Sequence, residues 1–401
     1  MKPRKFAAIS AMVGLAAGPM ARAETLFGTE HLAPFLAELR ALKTGSATHD
    51  AIITVWGDSH TAADGWTSVV RSELQGRFGS GGRGFVSLGK PWKSHGQKQV
   101  SFSNGPGCEG HTLLDREPDP DGAYGIGGSY VLCRGKRASV STSFRDSVDA
   151  VAVHLGGGPA GGVAEVLLDG TFGGTRNLHM TVPGVLTWVL QVPAGTREIT
   201  VRSRDGSPFR AYGISAHRHE TGVVVDALGV NGTRAENLER IDELHLLRAV
   251  AQRKPSLVVF AYGTNEASDD GDLSLYADRL GRVIEKVRRG QPLASCLLVG
   301  PPDRSERVGD HWETMTRILA IAQVQRRVAQ RSGCAFFDTL EAIGGPGTIE
   351  AWSQEDPPRA QRDHVHYTWA GYTTWGQVLS DALLLALDTD AAHPLAHPPS
   401  Q

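Results

Sequence analysis

Apolar residues along this chain gather in short β-branched runs, each followed by a stretch with helical spacing. The first run, Ala51-Ile52-Ile53-Thr54-Val55-Trp56, stops on Gly57-Asp58. Its apolar positions are nearly continuous rather than alternating, the pattern of a strand buried on both faces of a parallel sheet. Val223 to Ala227, Leu257 to Tyr262, Cys296 to Val299 and Cys334 to Phe337 repeat it. Helical patterns follow at 61–78, 234–252, 273–289 and 314–330, and a last one covers 370–387. In the third of these, Leu275, Leu280, Val283, Ile284 and Val287 fall largely on one face. Alternating strands and helices predict an α/β fold whose parallel sheet is covered on both sides.

Between about 98 and 220 the texture changes. Segments 138–144, 148–155, 163–168, 186–192 and 198–202 are short and alternating, with Gly, Pro, Asp and Asn turns between them. This spacing predicts an antiparallel β-sandwich interrupting the α/β core. The roughly 120 residues are enough for a core of their own. The domain plan is thus a first core segment at 24–97, the insert at 98–220, a second core segment at 221–387 and a disordered tail from Asp388.

Candidate chemistry sits where the core strands end. Gly57-Asp58-Ser59-His60 places Ser59 at the mouth of a helix, where unpaired backbone N–H groups favour negative charge. Gly57 permits the tight turn, and Asp58 or Ser59 can cap the helix. Downstream, Asp363 stands three residues before His366 and just ahead of the last helical pattern. A serine, a histidine and an aspartate are the parts of a nucleophile, base and orienter relay. Leu228-Gly229-Val230-Asn231-Gly232 and Gly263-Thr264-Asn265-Glu266 end two further strands at the carboxyl edge of the presumed sheet, where open α/β folds place their sites.

In order, these blocks resemble the SGNH (GDSL-like) hydrolase family, whose pattern is Gly-Asp-Ser, a glycine, Gly-x-Asn and Asp-x-x-His. The resemblance implies a flavodoxin-like α/β/α core with Ser59 as nucleophile, His366 as general base and Asp363 as its orienter. It also implies an oxyanion hole formed by Ser59 N–H, Gly232 N–H and the Asn265 side chain, with Gly229 as the alternative glycine. The chain departs from the broad pattern at His60, in place of leucine, and at Glu266, in place of aspartate. Gly57 to Asp64, Tyr262 to Ala267 and Gly344-Gly345-Pro346-Gly347 before Trp352 look like the bacterial peptidoglycan O-acetylesterases. That subgroup implies a carbohydrate-binding-module-like insert and removal of O-acetyl groups from peptidoglycan glycan, with no metal or organic cofactor. Other expectations of the same pattern are an esterase or acetyltransferase for another acetylated polysaccharide, and a non-catalytic glycan-binding protein. The insert reads equally as a sugar-binding module or as a wall that restricts entry to the cleft.

Composition supplies the address. Met1-Lys2-Pro3-Arg4-Lys5, an apolar stretch from Phe6 to Gly18 and Ala21-Arg22-Ala23 read as a secretory signal peptide over 1–23, with Glu24 the first mature residue. Its removal shifts the formal net charge from -2 to -6, since it holds four cations and no acid. No basic patch suggests a nucleic-acid partner. No segment approaches the ~20 apolar residues of a stable membrane span. The expectation is a periplasmic or exported protein. Cys108, Cys133, Cys296 and Cys334 allow three pairings. Cys108 with Cys133 is favoured, and so is Cys296 with Cys334, because the latter two open adjacent strands; buried free thiols are the alternative.

Several features read as structural. Gly76 to Gly84 lacks the ending of a phosphate loop and follows a helix, so it reads as a flexible connection near the cleft. His364 competes with His366 for the base, but only His366 has the three-residue offset from Asp363. His60, Trp66, Trp92 and Trp352 read as packing residues.

Overall fold

The computed structural model describes residues 25–392. The signal peptide expected at 1–23 lies outside them. A six-stranded sheet forms the centre, in the order Leu26–Phe27, Ala335–Phe337, Ser295–Val299, Leu257–Ala261, Ala51–Gly57, Val223–Gly229. Its strands pair in parallel except for the Leu26–Phe27 edge, which runs antiparallel to Ala335–Phe337. Successive side chains leave a strand on opposite faces, and the two faces have separate cores. Ile53, Val55, Leu257 and Val259 join Trp66, Leu74, Trp375 and Leu379 on one side. Trp56, Val258 and Phe260 join Leu246, Val283, Val287 and Val328 on the other. Helices Gly65–Phe78 and Trp369–Ala392 cover the first face; Glu243–Arg253, Leu273–Arg288 and Thr316–Arg331 cover the second. This is a mixed α/β fold around a largely parallel sheet.

The strands from Val100 to His217 form two antiparallel sheets. Val140, Val166 and Val201 of one and Val131, Val153 and Ile214 of the other belong to one apolar cluster. This part is tied to the central sheet by hydrogen bonds. Trp56 Nε1 donates to the Ile126 carbonyl at 2.9 Å, and Phe85 N–H donates to Asp226 at 2.7 Å. Asp226 is buried and clamped by Arg253 at 2.7 and 2.8 Å. Cys108 is bonded to Cys133 across neighbouring antiparallel strands, and Cys296 to Cys334 across parallel ones.

Tertiary contacts overrule the helical pattern in two places. The stretch 61–78 is split into Ser59–Ala62 and Gly65–Phe78, because Asp64 takes a left-handed conformation with φ 56°. Its buried carboxylate accepts from Thr67 at 2.7 Å and pairs with Arg71 and Arg83, each at 2.7 Å. The stretch 234–252 is likewise broken into Ala235–Arg240 and Glu243–Arg253, the second capped by Asp242.

Two expectations need correction. The loop between Gly76 and Gly84 is at the amino end of the sheet, away from the strand ends that carry Ser59. Gly81 N–H donates to the Val223 carbonyl at 3.1 Å, and Val223 N–H to Gly79 at 2.9 Å, so it is a bonded connection. The disordered tail does not begin at Asp388. The last helix continues to Ala392, held where Arg40 pairs with Asp390 at 2.5 Å and donates to the Leu387 carbonyl. Residues 393–401 lie outside the described part. No helix among the described residues is long and apolar enough to cross a membrane.

Candidate active site

The strand Ala51–Gly57 delivers Ser59 to the first turn of a short helix. Asp58 caps it by accepting from His60 N–H at 2.9 Å. Asp363 and His366 approach on the segment that leads into the last helix. Ser59 Oγ lies 3.0 Å from His366 Nε2, and His366 Nδ1 lies 2.7 Å from Asp363 Oδ2. These are the distances over which a serine proton passes to an imidazole while a carboxylate holds the other ring nitrogen. Residues more than three hundred positions apart are thus joined. Asp363 is fixed by its own loop, where Oδ1 accepts from the N–H of Val365 and of His366 at 3.0 and 2.9 Å. Partial burial opposes its charge, but these donors and the imidazole prevail and hold the carboxyl below its ordinary range.

His364 goes elsewhere. It takes φ 53°, is buried, and stacks on Trp312 at 3.8 Å with Glu350 3.0 Å from its Nδ1. The left-handed turn at His364 separates two histidines that lie two positions apart in sequence.

The two glycines also separate. Gly229 closes its strand opposite Gly57, and a Cβ there would lie 2.2 Å from Ala62 N, so glycine is needed for close packing. Gly232 occupies the exposed turn beyond, with φ 80° and only Leu114 within 4 Å of a Cβ. This turn is tied to the nucleophile strand. Val230 N–H and Thr233 Oγ1 donate to the Gly57 carbonyl at 3.0 and 3.3 Å. Asn265 Nδ2 donates one hydrogen to the Thr233 carbonyl at 3.0 Å, which fixes the amide and leaves its second hydrogen unused by that bond.

Glu266, noted in the sequence only as a departure, joins the two loops. Its carboxyl oxygens accept from Ala235 N–H at 2.9 Å and Gly263 N–H at 3.0 Å, one three residues after Gly232 and the other two residues before Asn265. Burial raises its pKa to about 7 against the pull of the Ala235 amide. Burial likewise raises Asp58 to about 8, with Glu266 adding to it. Arg304 donates to the Thr264 carbonyl at 2.5 Å, and its charge bears on Asp363 and Asp58.

His60 is 2% exposed. Its Nδ1 lies 2.9 Å from the Tyr372 hydroxyl, and its ring is 5.5 Å from that of His366. Burial, helped by His366, lowers its pKa to about 3, so it is an uncharged wall behind that ring. Trp66 and Trp352 are buried in the core, and Trp92 packs edge-on against His95. The tryptophan that faces solvent near this site is Trp369, three residues past His366; its one sequence signal was that position. Among the described residues no group of three or more His, Cys, Asp or Glu is placed to hold a metal.

Comparison with known proteins bears on this geometry. The GDSL-like lipase/acylhydrolase family model matches residues 197–374, a span that includes Gly232, Asn265, Asp363 and His366 but not Ser59. No curated protein sequence matches the chain. Among solved structures, a peptidoglycan O-acetylesterase is 23% identical, over 89% of this chain and 96% of its own, with a TM-score of 0.76. A salicylyl-acyltransferase from a tetracycline biosynthetic pathway is 13% identical over 75% of this chain and 96% of its own, with a TM-score of 0.33. An acetylxylan esterase from Geobacillus stearothermophilus is 22% identical over 41% of this chain and 73% of its own, with a TM-score of 0.30. The last two likenesses are too slight to argue from. The SGNH (GDSL-like) resemblance read in the sequence is therefore met by a family-model match over the second half of the chain and by a fold shared with a peptidoglycan O-acetylesterase.

Proposed function

We propose that this protein is a serine esterase that removes O-acetyl groups from the glycan of peptidoglycan. The observation that carries the reading is the continuous contact from Ser59 Oγ to His366 to Asp363. His366 takes the Ser59 proton as Oγ attacks the acetyl carbonyl carbon. The developing oxyanion is met by the N–H groups of Ser59 and Gly232 and by the second hydrogen of Asn265 Nδ2. The open turn at Gly232 favours it over Gly229 as donor. Collapse breaks the ester bond, and His366 returns the proton to the departing sugar oxygen, leaving an acetyl-enzyme. Water, deprotonated by His366, then releases acetate. Asp363 stays ionised, holds the imidazole tautomer and stabilises the imidazolium.

We read residues 98–220 as an inserted, carbohydrate-binding-module-like β-sandwich within a hydrolase core at 24–97 and 221–387. Two disulfides accord with export to a periplasm. The test is acetate release from O-acetylated peptidoglycan, acetylated xylan and a small acetyl ester, by the protein and by Ser59→Ala. Release from peptidoglycan that vanishes in the variant is expected. Ser59-dependent release from xylan or the small ester alone keeps the chemistry and discards the wall substrate. Appearance of the acetyl group on an added acceptor glycan instead of in acetate makes the protein a transferase.

A further inference from the structure

Trp369 is 56% exposed. It is the first residue of the last helix, whose buried face is carried by Tyr372, Trp375 and Leu379. A large apolar ring left in water at a helix start does nothing for that packing. Its place is nonetheless fixed. The Tyr367 hydroxyl donates to the Asp303 carbonyl at 2.7 Å, and Thr368 N–H donates to the Arg359 carbonyl at 2.9 Å. Trp369 follows His366 by three positions, so its Cα is held within about 11 Å of that of the histidine.

A cation stands over this ring. Lys98 Nζ is 5.5 Å from the Trp369 centroid, and among the described residues Lys98 forms no ion pair. The loop that carries it is anchored. Buried Gln97 donates to the Ala227 carbonyl at 2.9 Å, and buried His95 sits between the rings of Trp92 and Phe102 at 4.3 and 4.6 Å. Ser94 Oγ is 3.5 Å from Asn231 Nδ2, beside Gly232. Residues 94–98 therefore run along the rim from the Gly232 turn to Trp369.

We propose that Trp369 and Lys98 form a glycan subsite on this rim, and that its ligand is a carboxylate-bearing sugar strand. The inference rests on the esterase reading and narrows its substrate. The indole offers a flat face to the C–H groups of a pyranose. A lysine resting on an exposed ring is loosely held and free to turn to a better partner. Peptidoglycan supplies one, through the carboxylates of its stem peptides; a neutral xylan does not.

The test is kcat/KM on O-acetylated peptidoglycan and on an acetylated neutral xylan, each divided by the value for a small acetyl ester. Trp369→Ala lowers both ratios by about tenfold, the loss of one aromatic anchor, and Trp369→Tyr recovers most of it. Lys98→Glu lowers the peptidoglycan ratio about tenfold more than the xylan ratio. Unchanged ratios in Trp369→Ala, no recovery with tyrosine, or an equal fall on both polymers in Lys98→Glu overturns the subsite while leaving the esterase standing. A protein that turns over the small ester through Ser59 but frees no acetate from peptidoglycan overturns the substrate reading and this ligand together.

Discussion

The floor and the rim of the site are built by different means. On the floor, Asp58, His60 and Glu266 are almost sealed from water; the two carboxyls accept from backbone amides, and His60 Nδ1 meets Tyr372 while its Nε2 has no partner among the described residues. Strand ends and a helix start set their positions, so the fold itself fixes the geometry around Ser59. On the rim, Asp363, Trp369 and Lys98 face solvent, and short loops hold them through a few hydrogen bonds. A change on the floor, or at Asp363 where the rim meets His366, therefore disturbs the reaction whatever the ester, whereas a change at Trp369 or Lys98 alters which ester arrives.

His366 bridges the two and carries the largest expected effect. His366→Ala lowers kcat on a small ester by roughly 10⁴ to 10⁶, as loss of the base does in other serine hydrolases. A loss below a hundredfold would remove His366 from the relay. Asn265→Ala is expected to cost about 10² to 10³ in kcat, the value of one oxyanion donor. Equal losses on polymer and small ester are required, since the donor acts at the carbonyl; a polymer-specific loss would move Asn265 from the floor to the rim.

Glu266→Gln is milder. The amide keeps one carbonyl acceptor, so one of the Ala235 and Gly263 amides loses its partner. An unmet buried donor costs about 1 to 3 kcal/mol, and part of that appears as misalignment of Asn265 and Gly232. About a tenfold fall in kcat on the small ester is expected, with KM little moved. An unchanged kcat with a lowered Tm would make Glu266 a purely structural brace.

The same division governs what could be read from the sequence. The strand-end places of Ser59 and Asn265 are legible because continuous apolar runs mark strands buried on both faces, and chemistry in such sheets gathers where the strands end; Asp363 and His366 follow no such run and are read from their three-residue offset and the family resemblance. The pairing of Cys296 with Cys334 follows from the same parallel register. The break at Asp64 is not legible, since it depends on Arg83 arriving from the following loop. Nor is the role of Glu266, one of whose partners, Ala235, lies 31 residues before it in another loop. Trp369 looks like any apolar residue at a helix start. Its exposure depends on Tyr372 and Trp375 filling the core in its place, and no periodicity reports that.

Floor and rim also oppose one another in pH. Asp58 and Glu266 have folded-state pKa values of about 8 and about 7, above those of an unfolded chain near 4. The folded protein then binds more protons than the unfolded one, so their stabilising contribution is complete below about pH 4 and is lost as pH rises through 7 to 8. Asp363 is shifted the other way. Its contribution is present above the unfolded value and is lost as pH falls through its folded one. Asp58→Asn keeps an acceptor for the His60 amide but cannot ionise, so it should flatten the alkaline fall in Tm by a few degrees. Asp363→Asn should flatten only the acid limb, by less, because water screens its exposed carboxyl. Thermal melts from about pH 2 to 9 decide it: curves parallel to wild type at the alkaline end for Asp58→Asn would mean that the floor carboxyl is already ionised at neutral pH and that burial does not separate the two regions.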